Sequence, residues 1–253
     1  MTARLELFAL PGLPMVRAGD DLPSLILAGL ERAGQVLRDR DVVVIAQKIV
    51  SKAEGRIVDL ANVVPSAEAL KLAAEIGKDP GIVEVVLRES VKVVRSRPNL
   101  MIMQHRLGFV MANAGVDRSN VAEPDGRHRA LLLPLDPDGS AAAIRSRLAG
   151  YGDVGVVISD SFGRAWRRGT AGVAIGAAGI PSLIDLRGQP DLFGRSLEVS
   201  IIGFADEIAA AASLLHGQAA EAQPVVVVRG LVWRAPNVPV ADVIRPPEED
   251  LFQ

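Results

Sequence analysis

Two aliphatic runs constrain this chain more than any other feature: Asp41-Val-Val-Val-Ile-Ala46 and Pro224-Val-Val-Val-Val-Arg229. With apolar side chains at successive positions, neither run has a face to turn toward water, so each reads as a buried strand. Asp153–Ser159 (DVGVVIS) reads as a third. Aromatic residues are only 4% of the chain, so the core must be built from Val, Leu, Ile and Ala. At 253 residues, 49% of them hydrophobic, the chain can bury one large domain or two small interlocked ones.

The remaining elements are punctuated by Gly and Pro. Residues 4–9 (RLELFA) alternate like a half-buried strand, and LPGLP at 10–14 must turn or extend. After Asp20-Asp21, the apolar positions Leu22, Leu25, Ile26, Leu30 and Val36-Leu37 predict a helix. Pro65-Ser66 opens a helix to about Lys78; Asp79-Pro80 caps and starts another, expected to run to about Val94. LMIMQ (100–104) and LGFVMANAG (107–115) predict a hairpin turning at His105-Arg106. Residues 140–149 and Phe204–His216 predict helices, the second closed by Gly217, and residues 171–179 form a small-residue stretch of unassigned structure. Strands and helices follow no regular βαβ rhythm, which predicts an α+β or irregular α/β fold with mixed or antiparallel sheets. There is no internal repeat, P-loop or Rossmann fingerprint, so a bound nucleotide would need another cradle.

Composition narrows the chemistry. A formal net charge of −2 gives no support for nucleic acid or an anionic membrane as partner. No cysteine is present, which removes disulfides, thiolate ligands and a thiol nucleophile and fits a reducing compartment. The N-terminal stretch MTARLELFALPGL lacks a long apolar core and does not read as a signal peptide. No uncharged run reaches the roughly 18 residues of a membrane span. The chain is expected in the cytoplasm.

Five segments carry residues suited to chemistry. Asn113-Ala-Gly-Val-Asp117-Arg-Ser-Asn120 follows an apolar strand, and its Asp is a hard oxygen ligand of the kind Mg²⁺ or Mn²⁺ takes. An ordinary Asx-turn is the plainer reading. In Ser159-Asp160-Ser161-Phe-Gly-Arg164-Ala-Trp-Arg167-Arg168-Gly-Thr170, a buried strand is expected to end in Asp-Ser beside three arginines. Carboxylate and hydroxyl suit a metal, and guanidinium forks match phosphate or carboxylate. A solvated basic loop anchored by Trp166 is the alternative. Gln47-Lys48-Ile-Val-Ser51-Lys52 places lysines past a buried strand, as point charges for phosphates or as a solvated strand end. In Asp185–Glu198, Asp191 and Arg195 either bind substrate or lock a long loop as an ion pair. Asp206-Glu207 complement a helix dipole, with Gln218 just beyond the same helix. His105, His128 and His216 have no metal-ligand spacing and are expected at turns or helix ends. No G-x-S-x-G elbow supports a hydrolase triad.

These segments, in this order, resemble the coenzyme F420-0:γ-glutamyl ligase family (the CofE family). The matching text is GLPMVRAGDDL, VVVIAQKIVSKAEGR, NAGVDRSNV, ISDSFGRAWRRGT and DLRGQPDLFGRSLEVSIIGFADEIAAAASLLHGQ. The resemblance covers about residues 5–235 and leaves 236–253 as a tail on a single ligase domain spanning 1–253. It is to the stand-alone ligase, without a nitroreductase-like flavin domain. It implies a family-specific fold of two interlocked subdomains in an intertwined homodimer. It implies GTP as energy source, two divalent cations (Mg²⁺ or Mn²⁺) and help from K⁺. It places nucleotide contacts at Leu13, Pro14, Met15, Val16, Gln47, Lys52 and Asn120. It places one metal on Asp117 and Asp160 and a second on Ser161. Arg164, Arg167 or Arg168 would orient a substrate carboxylate or phosphate.

The implied reaction joins a carboxylate of coenzyme F420-0 to the α-amine of L-glutamate through an acyl phosphate, with later glutamates γ-linked. Two other readings remain at this point: an amino-acid ligase for another carboxylate acceptor, and a nucleotide-binding protein without catalysis. A plain structural protein fits the clustered polar residues least.

Overall fold

The computed structural model describes residues 4–121, 126 and 128–251. The first three and last two residues, which belong to the N-terminal stretch and to the tail read from the sequence, lie outside the described residues.

The valine runs lie inside a five-stranded sheet. β1 (Glu6–Ala9), β2 (Val42–Ala46), β8 (Gly155–Gly163), β9 (Thr170–Ala178) and β12 (Val225–Arg229) are ordered β1-β12-β2-β8-β9. β2 and β8 are parallel, and the other three pairings are antiparallel. Val42–Ile45, Val156–Ile158 and Val225–Val228 are buried, as uninterrupted apolar strands must be. α5 (Pro137–Leu148) and α6 (Phe204–His216) pack on β8 and β9, and α1 (Leu22–Arg32) packs against α5.

The small residues of β9 explain how close those helices come. A Cβ on Gly172 would lie 2.3 Å from the Ala209 carbonyl oxygen in α6, and one on Gly176 2.4 Å from the backbone of Pro137 in α5. Residues four apart in a regular strand share a face. Here β9 carries one extra residue, because Ile158 pairs with Gly176 while Ser159 pairs with Ala174. This bulge turns the alternation over, so the two glycines meet different helices.

A second core lies among Ala69, Ala73, Ile76, Val83, Val86, Met101 and Met103. It gathers α3 (Ala67–Ile76), α4 (Pro80–Arg88) and an antiparallel sheet of β4 (Ser90–Arg97), β5 (Leu100–His105) and β6 (Val110–Ala112). The helix starts follow the expected caps: Ser66 accepts from Ala69 N and Asp79 from Ile82 N. β3 (Ile57–Asp59) pairs with β7 (Arg129–Leu131), and β10 (Ile184–Asp185) with β11 (Ile201–Ile202). The structure is therefore α/β with mixed and antiparallel sheets. Among the described residues no helix is long and apolar enough to cross a membrane.

Several element bounds differ from the sequence expectation. α1 stops at Arg32, because Gly34 takes a left-handed φ of 62° and Gln35 N bonds Leu30 O; Leu37 is buried from a loop. The helix expected to reach Val94 ends at Arg88, and 90–97 form β4, where β-branched residues pair with β5. α5 begins at Pro137, capped by Asp136, three residues before its expected start. Gln47–Ala53, read as a polar strand end, is a short helix, α2, that follows β2 without a loop. Asp160 and Ser161 do not terminate their strand; β8 runs on to Gly163 because β9 pairs it that far.

Candidate functional site

Three strand ends, of β1, β2 and β12, meet beside β8 at one end of the main sheet. Ala46, last in β2, pairs with Ser159 of β8. β12 begins beside them, with Val225 opposite Ile45 and Ala46 N donating to Pro224 O at 2.8 Å. β1 ends at the same level, and Leu10 N donates to Val225 O at 2.9 Å. The segments leaving these strands must share that end. They enclose a cleft of about 370 Å³. The end of a parallel strand pair where the neighbouring connections diverge is a common ligand position in α/β folds.

Leu13, Pro14, Met15, Val16, Gln47, Lys52 and Asn120 all line this cleft, together with Asp160 and Ser161. α2 joins its two sides. Lys48 and Lys52 stand one helical turn apart and reach the 117–120 segment. Lys48 Nζ lies 2.7 Å from Asp117 Oδ2 and 2.5 Å from Ser119 Oγ. Lys52 Nζ donates to the Asn120 carbonyl oxygen at 2.8 Å. Within α2, Ser51 Oγ donates to Gln47 Oε1 at 2.9 Å, satisfying two buried polar groups.

The backbone before Asp117 is unusual. Asn113, Ala114 and Gly115 take φ values of 51°, 51° and 71°, three successive left-handed residues. Lys78 Nζ donates to Asn113 Oδ1 at 2.5 Å, and Asp117 exchanges both backbone bonds with Leu131. Strained backbone of this kind concentrates at functional sites.

The two carboxylates differ electrically. Burial pushes Asp160 up to about 6, against a 2.8 Å hydrogen bond from Ser161 N and the positive charge of Lys48; the Asp117 charge adds to the rise. Among the described residues Asp160 has no ion-pair partner. For Asp117 burial acts in the same direction but is outweighed by Lys48 and by both donors of Ser119, so its carboxyl is held below the usual range. Burial, with Lys48 nearby, lowers Lys52. Burial likewise lowers His216, which favours a neutral imidazole at the cleft wall.

The donor set fits a hard divalent cation. Asp117 and Asp160 supply carboxylate oxygens and Ser161 a hydroxyl, whose Oγ donates to Gln218 Oε1 at 2.9 Å. All are oxygens, which Mg²⁺ and Mn²⁺ prefer. Among the described residues no three His, Asp or Glu side chains cluster. The hydroxyl, the Gln218 amide oxygen and ligand oxygens would have to complete a coordination sphere.

Arg164, Arg167 and Arg168 are not brought to the cleft wall. They are exposed in the β8–β9 connection, beside Trp166, which is 90% exposed. Asp191 fastens its loop by accepting from Phe193 N and Arg195 N, not by pairing with the Arg195 side chain, while Asp185 pairs with Arg187 at 2.6 Å. Asp206 accepts from Ala174 N and ties α6 to β9. In the segment 216–224, His216 and Gln218, expected only at and just beyond a helix end, line the cleft. Its only local signal is a helix closed by glycine and followed by a buried strand. That signal places a loop at the sheet end without saying what it faces.

Known proteins are similar to this chain in sequence over most of its length. A family model described as F420-0:Gamma-glutamyl ligase matches residues 12–230. The chain is 46% identical to the Coenzyme F420:L-glutamate ligase of Methanothermobacter thermautotrophicus, over 98% of this chain and 99% of that one. It is 46% identical to the protein of that name in Methanopyrus kandleri, over 94% and 93%. The Archaeoglobus fulgidus protein is 43% identical, over 99% and 97%.

Proposed function

Because the chain belongs to the F420-0:γ-glutamyl ligase family, we propose that it is a GTP-dependent ligase that adds L-glutamate to coenzyme F420-0, and further glutamates in γ-linkage. The observation that carries the reading is that Asp160, Ser161, Lys48 and Lys52 line one cleft, with Asp117 joined to it through Lys48. That set gives hard oxygen donors and cations side by side, which is what a polyphosphate with a divalent cation requires.

A carboxylate is a poor acyl donor. In the proposed reaction an oxygen of the F420-0 carboxylate attacks the γ-phosphorus of GTP, forming an acyl phosphate and releasing GDP. The α-amine of glutamate then attacks the acyl carbon. The amide bond forms, the carbon–oxygen bond to phosphate breaks, and inorganic phosphate leaves as the amine gives up its proton. Asp117, Asp160 and Ser161, with Gln218 beside them, would hold two Mg²⁺ or Mn²⁺ ions, which offset charge on the phosphates. Lys52, fixed by Asn120, adds positive charge at the cleft wall. Leu13–Val16 and Gln47 supply the wall for the nucleotide. No protein nucleophile is required, in keeping with a chain that has no cysteine.

Two further parts of the reading rest on the family. K⁺ is proposed as an auxiliary ion. A homodimer is proposed as the working form, supported by Trp166, Leu192, Phe193 and Val199, each at least 86% exposed on connecting loops. Light scattering coupled to size exclusion reads the dimer directly.

Purified protein incubated with GTP, Mn²⁺, L-glutamate and F420-0 is expected to give products heavier by one or more glutamyl residues, with one GDP per bond. A mass spectrum without such products, under conditions where a relative forms them, rejects the function. A panel of other carboxylate acceptors separates this reading from a ligase of different acceptor.

A further inference from the structure

The residue that pairs with Asp117 is itself a cation. Lys48 Nζ lies 2.7 Å from Asp117 Oδ2 and 2.5 Å from Ser119 Oγ. Oδ1 accepts from Ser119 N at 2.7 Å, and Oδ2 also accepts from Ser119 Oγ at 2.8 Å. The unshared side of Oδ2 is therefore the position Lys48 occupies. A divalent cation bound to a carboxylate oxygen at roughly 2.1 Å would face the ammonium across the same atom, and like charges at that separation repel strongly. A cation that takes Oδ2 has to displace Lys48.

Lys48 also has somewhere to go. It lines the cleft beside Lys52, and its four-carbon stem lets the ammonium move while α2 stays still. Its neighbour lacks that freedom: Lys52 is nearly buried and its Nζ is fixed on the Asn120 carbonyl oxygen. Asp160 and Glu221 line the cleft with Lys48 and Lys52, and Asp117 pairs with Lys48, so three carboxylates and two ammoniums come close to balance without any ion. A metal arriving alone would upset that balance. A nucleoside polyphosphate would restore it, by giving the displaced ammonium phosphate oxygens to bind.

We infer that Lys48 is a built-in counter-cation that holds Asp117 until nucleotide phosphates draw it off, so that divalent-metal binding at Asp117 is coupled to nucleotide binding. The inference rests on reading the cleft as a metal–nucleotide site. It adds an order: the cation enters with the nucleotide or after it. By linkage the coupling is reciprocal, so GDP tightens the metal by the factor by which the metal tightens GDP.

The test titrates Mn²⁺ into the full-length protein and reads free Mn²⁺ by its paramagnetic resonance signal, with and without GDP. Wild type is expected to bind Mn²⁺ weakly alone and more tightly with GDP. Lys48→Met and Lys48→Gln are each expected to tighten nucleotide-free Mn²⁺ by about tenfold or more, as removal of an adjacent positive charge requires. The enhancement by GDP should shrink by a similar factor. Lys48→Arg keeps the charge and should stay like wild type. Circular dichroism melts identify a variant that does not fold, and either neutral variant alone suffices. Unchanged or weaker nucleotide-free Mn²⁺ affinity in a folded neutral variant, with wild type still binding Mn²⁺ plus GDP, overturns the inference and leaves the ligase reading intact. No Mn²⁺ binding by any protein, with or without GDP, overturns both.

Discussion

Asp160 and Asp117 are the same side chain in two regions of the molecule, and the regions treat them differently. Asp160 projects from β8 in the main sheet, where burial raises its pKa to about 6 and no described residue forms an ion pair with it. Asp117 comes from the segment joining β6 to β7, where Lys48 and Ser119 compensate its charge and lower its pKa. One acid is satisfied by the protein and the other is left in want of a cation. In the apolar main sheet Asp160 is held with a hydrogen bond from Ser161 N but without an ion pair among the described residues, at a cost in stability. Asp117 instead has an ion-pair partner, Lys48, reaching it from α2. A site that binds a cation reversibly has use for both: a fixed acid that favours the ion, and an acid whose internal partner must first be displaced.

The largest expected effect comes from removing either acid. Asp160→Ala and Asp117→Ala should each lower kcat/KM by about 10³-fold or more, the scale of several kcal/mol of phosphate charge stabilisation. Steady-state kinetics by product mass check this, with circular dichroism confirming the fold. Full activity in either variant takes that residue out of the site.

Asp160→Asn sharpens the contrast through stability. The folded pKa of about 6 lies above the ordinary 3.8, so the folded state prefers the proton. That contribution is complete below about 3.8 and is lost as pH rises through about 6. Above pH 6 the ionised group costs the metal-free fold up to about 3 kcal/mol. Asn removes the cost, so Tm at pH 7.5 should rise by several degrees while Tm near pH 4 barely changes, in the absence of added metal. Equal Tm values at pH 7.5 would show that Asp160 is not held against its charge.

Asp117→Asn should act in the opposite direction. Its depressed pKa means a stabilising contribution present above about 3.8 and lost as pH falls through the lowered value. The Lys48–Asp117 pair is about a third exposed, which limits its worth to roughly 1 kcal/mol. A small fall in Tm at pH 7.5, fading toward acid, is expected from calorimetry. A rise would mean that the two acids share one environment, and the contrast fails.

The smallest effect belongs to the exposed arginines. Arg164→Ala and Arg168→Ala should leave stability within about 0.5 kcal/mol, as surface substitutions do. If they orient an acidic substrate, KM for F420-0 rises a few-fold with kcat little changed. No change in either constant limits their role to the surface.

The same contrast explains what the sequence made legible. β2 and β12 are readable because successive aliphatic residues leave no face for water. α3 and α4 are readable from Ser66 and Asp79, whose caps are local chemistry. The extension of β8 through Asp160-Ser161 was not readable, since polar residues there pair with a partner strand, β9, seen only as a small-residue stretch. α2 was missed because seven residues of mixed polarity carry little periodicity. β4 was read as helix because its valines suit either structure until β5 supplies the pairing. In the site, residue types were visible but their meeting was not. Lys48 and Asp117 lie 69 positions apart in the chain, and Gln218 and Ser161 57 apart, distances over which pattern says nothing about contact.

The most direct test of the site is a crystal grown with Mn²⁺ and GDP, with diffraction recorded at the manganese absorption edge. The account predicts anomalous density in contact with both Asp117 and Asp160, GDP phosphates beside it, and Lys48 turned away from Asp117 toward those phosphates. Manganese density elsewhere, with Lys48 still on Asp117, would contradict it.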